Sequence, residues 1–390
     1  CKFFDTFDWR LYNNKKVLFK ENDYFRLRIL YTNEIITQYE TTDSIVFQSD
    51  VINKNFRKQI NEIKMRALLP MVEASVKSTN FNVVNNDGKT VVRCVLEENK
   101  LVSEGKGKAI HGVLKLELLK GYKKEFNILQ KIGQENEFII AENVDLIEIA
   151  LKAIHKFPGE YSSKLNIQLS PEMRADMGTK QILGSLFNTF EINEPFIIED
   201  VDTEFLHDFR VSLRRSRSAI TQIKNVFPEP VTKKLTADLA YMAKSTNRLR
   251  DLDVYKLKEA EYRKMVPQEL ESGLDYFFDF VHKKRNAAFL QVVKSFHTKK
   301  YKTIRKEWKQ FIADEDFLNN DAPNASVPII ELARERIKSR YETVLKYGKK
   351  SLKSATKRNM HQLRIEGKKL RYLMEFFACL FNAEKIELLL

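Results

Sequence analysis

Two stretches of the chain carry residue types suited to holding phosphate. In the first, His207 is followed by Arg210, Arg214, Arg215 and Arg217; in the second, His361 is followed by Arg364, Lys368, Lys369 and Arg371. The cations stand three, seven, eight and ten residues after the histidine in both. On a helix turning about 100° per residue, offsets 0, +3, +7 and +10 fall within roughly 80° of arc. His207, Arg210, Arg214 and Arg217 therefore share one stripe, and His361, Arg364, Lys368 and Arg371 another. Phe209, Leu213 and Ile220 flank the first stripe; Leu363, Leu370 and Met374 flank the second. Each helix can pack by its apolar side and present a cationic edge. Arginine forks grip phosphate oxygens bidentately, while lysine supplies a point charge. A histidine among cations has its pKa depressed and can donate a hydrogen bond as neutral imidazole.

Other readings of the stripes are weaker. A solvated basic face would not repeat a histidine and four cations at the same offsets. Nucleic acid would also want the charge, but base readout or stacking calls for Asn, Gln or aromatics, and Tyr372 is the nearest aromatic. Catalysis by His207 or His361 needs an orienting carboxylate, and helical spacing turns Asp208 and Glu366 away from the stripes. Arg250 belongs to a further charged segment, Arg250-Asp251-Leu252-Asp253. There, Asp251 or Asp253 is expected to pair with a stripe arginine; Asp-x-Asp alone offers too few ligands for a metal.

The elements that must position these residues follow from the rest of the chain. Its 390 residues predict two or three domains, and 43% hydrophobic content suffices for packed cores. A net charge of +14 predicts a polyanionic partner. Cys1, Cys94 and Cys379 are too few and too scattered for a disulfide framework or a zinc site, which fits a cytoplasmic protein. No stretch is long and apolar enough to span a bilayer, and no membrane partner is expected. The chain starts without a methionine and ends inside an apolar run, Ile386 to Leu390, so further residues are expected beyond both ends.

Residues 1 to about 160 read as mostly strand, with runs at Tyr24–Tyr31, Ser44–Gln48, Val83–Val84, Thr90–Glu97 and Val113–Leu119. Asn85-Asn86-Asp87-Gly88 is a hairpin turn, and helices are expected from Lys54 to Lys64 and from Gly121 to Ile132. Alternation puts Lys89, Arg93 and Glu97 on one face, Lys115 and Glu117 on one face, and Arg26 and Arg28 on one face. A one-sided sheet would leave these charges in water. A closed sheet would gather Arg26, Arg28, Lys89, Arg93 and Lys115 in a lumen able to bind a triphosphate. After a linker at 156–171 everything reads as helix: 172–190, 205–226, 231–264, 269–296, 298–312, 326–347 and 359–390. The two stripes, 154 residues apart, imply a duplicated helical bundle rather than a solenoid. The expected fold class is α+β in two domains: an antiparallel β tunnel or barrel over 1–160, then an all-α pair of four-helix bundles over 172–390.

Two resemblances bear on these domains. Phe3-Phe4-Asp5-Thr6-Phe7-Asp8-Trp9-Arg10-Leu11-Tyr12, Phe25-Arg26-Leu27-Arg28, Arg66-Ala67-Leu68-Leu69-Pro70 and Asp87-Gly88-Lys89-Thr90-Val91-Val92-Arg93 resemble the CYTH family over about 1–155. That resemblance implies an eight-stranded tunnel binding triphosphate compounds with Mg²⁺ or Mn²⁺, hence a metal-dependent triphosphatase as the alternative function. The family's Glu-x-Glu-x-Lys metal motif is absent from this sequence. Glu97 and Glu117 are the remaining candidate metal ligands. The second resemblance rests on His207-x-x-Arg210-Val211-x-x-Arg214-Arg215-x-Arg217-Ser218, Leu249-Arg250-Asp251-Leu252-Asp253-Val254 and His361-x-x-Arg364-Ile365-x-x-Lys368-Lys369-Leu370-Arg371-Tyr372-x-x-Glu375. These motifs resemble the CHAD domain over about 172–390. That resemblance implies two bundles that bind inorganic polyphosphate, on His207, Arg210, Arg214, Arg215, Arg217, Arg250, His361, Arg364, Lys368, Lys369, Arg371 and Tyr372, and a cytoplasmic location that includes polyphosphate granules.

Overall fold

Alternating apolar residues in the N-terminal part form eight strands: β1 (Lys2–Thr6), β2 (Lys16–Glu21), β3 (Tyr24–Ile29), β4 (Ile35–Glu40), β5 (Leu68–Val84), β6 (Thr90–Ser103), β7 (Lys106–Ala109) and β8 (Val113–Leu118). Helices α1 (Arg10–Asn13), α2 (Lys54–Gln59), α3 (Lys123–Glu135) and α4 (Leu146–Ala153) accompany them. The computed structural model describes residues 1–32, 34–103, 106–141, 143–163, 165–314 and 322–382. The chain divides into two units, Cys1–Tyr161 and Ser162–Leu390.

The sheet is antiparallel in the order β4-β3-β2-β1-β5-β6-β7, with β8 on β6. An eight-stranded antiparallel sheet is what the tunnel resemblance implies; its ladder runs as a path, and among the described residues no pairing joins β4 to β7 or β8. The Asn85–Gly88 turn connects β5 to β6. The Asn85 side chain accepts from Asp87 N at 3.1 Å and Lys89 N at 2.9 Å, and Gly88 takes φ +73°, which suits a residue without Cβ. Ser44–Gln48 is not a strand. Its backbone meets the sheet through one bond, Leu68 N to Val46 O at 2.7 Å, and turns at Gln48–Asp50.

Burial depends on the part of the sheet. On β2, Leu18 packs with Phe25, Leu27 and Phe56 on one side, while Val17 and Phe19 pack with Phe3 and α4 residues Ile147 and Leu151 on the other. Both faces there are covered. On β6, Val92 and Cys94 join Leu114 and Leu116 against Phe126 and Leu129 of α3, and Arg93 lies exposed on the opposite face. Asp5 ties β1 to α1: its buried carboxylate accepts from the backbone N–H groups of Thr6, Leu11 and Tyr12 at 2.7–3.0 Å. Burial pushes its pKa up to about 6 against the opposing pull of those donors.

The second unit is helical: α5 (Ala175–Ile198), α6 (Thr203–Gln222), α7 (Glu229–Leu257), α8 (Glu259–Met265), α9 (Glu271–Phe296), α10 (Lys299–Ala313), α11 (Ile329–Lys353) and α12 (Lys357–Phe377). The expected run to residue 390 and the break at Asn319–Pro323 fall partly outside the described residues. Asp202 starts α6 by accepting from Glu204 N at 2.8 Å, and Thr356 starts α12 by accepting from Asn359 N at 3.2 Å. Aromatic side chains join the first bundle: Phe190 meets Phe209 edge-on at 5.8 Å, Phe209 meets Phe296 at 5.5 Å, and Phe187 stacks on Trp308 at 6.1 Å. Among the described residues α11 and α12 pack on each other, and α12 also packs on α6.

Candidate functional site

The apolar side of α6 is fully used. Phe205, Phe209 and Leu213 are all within 1% of complete burial, which turns the His207 stripe outward. On α12, Leu373, Phe376 and Phe377 anchor the helix in the same way. The two helices meet at three points. Arg214 Nε donates to Tyr372 Oη at 2.8 Å, Arg215 Nη2 lies 3.0 Å from Glu375 Oε2, and Arg340 of α11 bridges Gln222 to Glu366. Arg214 and Lys368 hold the same place in their stripes, seven residues after the histidine. Their charges converge: Arg364 foremost, then burial and Arg214, push the Lys368 pKa below that of an ordinary lysine.

The cations divide by partner. Arg214, Arg217, Arg364 and Lys368 are exposed, as is His361, and among the described residues none of these has a carboxylate partner. Arg215 is held between Glu375 and the Ser163 carbonyl, 2.6 Å from its Nη1. Lys369 lies 2.9 Å from Glu366 Oε1, on a carboxylate that also takes Arg340 at 2.5 Å and Gln362 at 2.8 Å. Arg371 Nε donates to Glu375 Oε1 at 2.8 Å. Arg215, Lys369 and Arg371 are therefore tied to carboxylates of α12.

Behind the α6 stripe, α7 supplies a half-buried layer. Arg210 donates to Thr246 Oγ1 at 2.8 Å and to the Ala243 carbonyl at 3.1 Å. Arg250 donates to the Thr203 carbonyl at 3.2 Å and lies 3.9 Å from Glu204. Burial and then the Arg250 charge push the His207 pKa below its ordinary value, with Glu204 opposing. Asp253 does not pair with a stripe arginine. It takes Arg285 of α9 at 2.9 Å, and Arg285 also holds Asp200. Asp251 is exposed and acts on Arg210 only through space. Spacing alone could not expose the role of Glu375, although it lies fourteen residues after His361 and so continues the same stripe.

In the first unit, a cavity of about 1110 Å³ is lined by Arg28, Lys115 and Glu97 together with apolar residues such as Phe19 and Phe126. Arg26, Lys89, Arg93 and Glu117 lie outside that lining. Four of the five cations expected in a lumen have carboxylate partners: Arg26 with Glu21, Arg28 with Asp145 at 2.5 Å, Arg93 with Glu117 at 3.3 Å, and Lys115 with Glu97 at 2.5 Å. Lys89 is exposed beside the hairpin turn. Glu97 and Glu117 each face a cation, and among the described residues no three His, Cys, Asp or Glu side chains converge. This arrangement does not fit Mg²⁺ or Mn²⁺, which need several free oxygen ligands.

The profile of the CHAD domain matches residues 181–390. This chain belongs to the CHAD family. The CHAD domain from the plant Ricinus communis is similar at 21% identity and a TM-score of 0.48, over 58% of this chain and 74% of that one. PptA from Streptomyces chartreusis is similar at 12% identity and a TM-score of 0.41, over 54% of this chain and 78% of that one. No curated protein matches. The CHAD region contains both histidine stripes, and among the described residues no helix is long and apolar enough to cross a membrane.

Proposed function

We propose that the groove between α6 and α12 binds inorganic polyphosphate. The observation that carries this reading is the set of exposed cations without carboxylate partners among the described residues, Arg214, Arg217, Arg364 and Lys368, on two contacting helices whose stripes repeat each other. His207, Arg210 and Arg250 supply a half-buried layer behind them, and the Tyr372 hydroxyl fixes the Arg214 guanidinium. Among the described residues the ring stacked beside Tyr372 is Phe376, which is buried and offers a base no open face, and this favours a ligand without bases. The CHAD family's association with polyphosphate agrees with this, and residence on polyphosphate granules follows from it.

Equilibrium competition between long-chain polyphosphate and single- or double-stranded DNA, at matched salt and equal phosphate count, tests the reading. Polyphosphate is expected to win. Equal competition by DNA would reduce the groove to a general basic surface. The double variant R214E/K368E should abolish binding while the helical circular dichroism stays intact, and undiminished affinity in that variant would place the site elsewhere.

A further inference from the structure

Glu375 stands out within the α12 stripe because it continues the cationic series with the opposite charge. The series His361, Arg364, Lys368, Arg371 and Glu375 keeps alternating steps of three and four residues, so all five share one side of the helix. Its carboxylate is already engaged on both oxygens, with Arg371 Nε at 2.8 Å and Arg215 Nη2 at 3.0 Å. The Glu375 side chain is 12% exposed and that of Arg215 is 13% exposed, whereas Arg371 is 61% exposed. The matching position in the first stripe is Thr221, whose hydroxyl donates to backbone carbonyls of its own helix. The groove is therefore chemically uneven: one copy of the stripe ends in a neutral side chain and the other in a carboxylate.

We propose that Glu375 closes one end of the polyanion groove, taking up Arg215 and Arg371 as an internal substitute for phosphate and confining the ligand to the cations before it. This rests on the polyphosphate reading above. Physically, a carboxylate in line with the stripe repels an anionic chain and removes two arginines from the charge that the chain can neutralise. Confinement then sets how many phosphates the protein engages, and so its preference among polymer lengths.

The test is E375Q in the full chain, with long-chain polyphosphate titrated over a range of salt. Glutamine keeps a side-chain oxygen to accept from Arg371 Nε but drops the charge. Affinity is expected to rise roughly three- to tenfold, and the slope of log K against log salt to steepen by about 0.7–0.9 for each additional phosphate that the protein neutralises. In addition, R371A should cost more affinity in the E375Q background than in the wild type. Unchanged or weaker binding by E375Q, with its melting temperature preserved, overturns the closure and leaves Glu375 a structural clamp. If E375Q lowers the melting temperature, the Arg371 comparison decides: an equal cost of R371A in both backgrounds overturns the proposal. Failure of the wild-type chain to bind polyphosphate at any salt removes the functional reading itself, and this proposal with it.

Discussion

His207 shows how one side chain takes its chemistry from its surroundings. Burial and the neighbouring Arg250 charge hold its pKa below the ordinary 6.5, so the imidazole is neutral in the free protein near pH 7. A bound polyanion favours the charged form and raises that pKa again. Binding then takes up a proton, and affinity should increase as the pH falls toward that lowered pKa. Isothermal titration in buffers of different ionisation enthalpy measures the uptake; H207Q should flatten the pH dependence, and an equally steep profile in H207Q would assign the proton to another group. The sign for stability is opposite. An unfolded chain binds the proton at the ordinary value, so this residue's contribution to stability declines as the pH drops through the lowered pKa. The nearby carboxylates serve structure: Asp253, 1% exposed, is neutralised by Arg285, which leaves neither free to touch a ligand.

At the scale of elements, the stripes work only if α6 and α12 keep their relative placement. Glu366 helps to hold that placement through Arg340, which also takes Gln222 of α6. Farther back, α11 rests on α5 at Gly178, where an added Cβ would come within 3.1 Å of Ile329 Cγ1 and Cδ1. Ile329 is fully buried, so it must give way within a packed interior. G178V should therefore lower stability by about 1–3 kcal/mol through overpacking. A reduced urea midpoint with an unchanged m-value would show this, and a midpoint at or above the wild type would refute the close approach. Helix breaks are readable because Asp202 and Thr356 are ordinary N-caps and Pro228 and Pro328 sit just before the first turns. Ser44–Gln48 misleads because alternation records only which side a residue faces, not whether a neighbouring strand is there to pair with it.

At the scale of the whole molecule, a net charge of +14 attracts polyanions in general, and specificity has to come from where cations are left unpaired. The two units differ in this respect. In the helical unit, four exposed stripe cations lack carboxylate partners among the described residues. In the sheet unit, Arg28 and Lys115 reach the cavity but are matched by Asp145 and Glu97. Residues 1–390 should therefore release phosphate from triphosphate no faster than background with Mg²⁺ or Mn²⁺. A colorimetric phosphate assay checks this, and metal-dependent turnover would show that carboxylates other than Glu97 and Glu117 assemble a centre.

The two stripes, their apolar flanks, the hairpin at Asn85–Gly88 and the order of sheet before helices are all present in the sequence, because helix and strand periodicity are local properties of the chain. Tertiary structure alone decided which charges are free. Arg28 meets Asp145 across 117 residues, Arg305 meets Glu194 across 111, and Arg215 meets Glu375 from a different helix. Spacing along one element cannot register such partners. An ion pair depends on a distance of a few ångströms between side chains, and that distance is set only when separate elements pack.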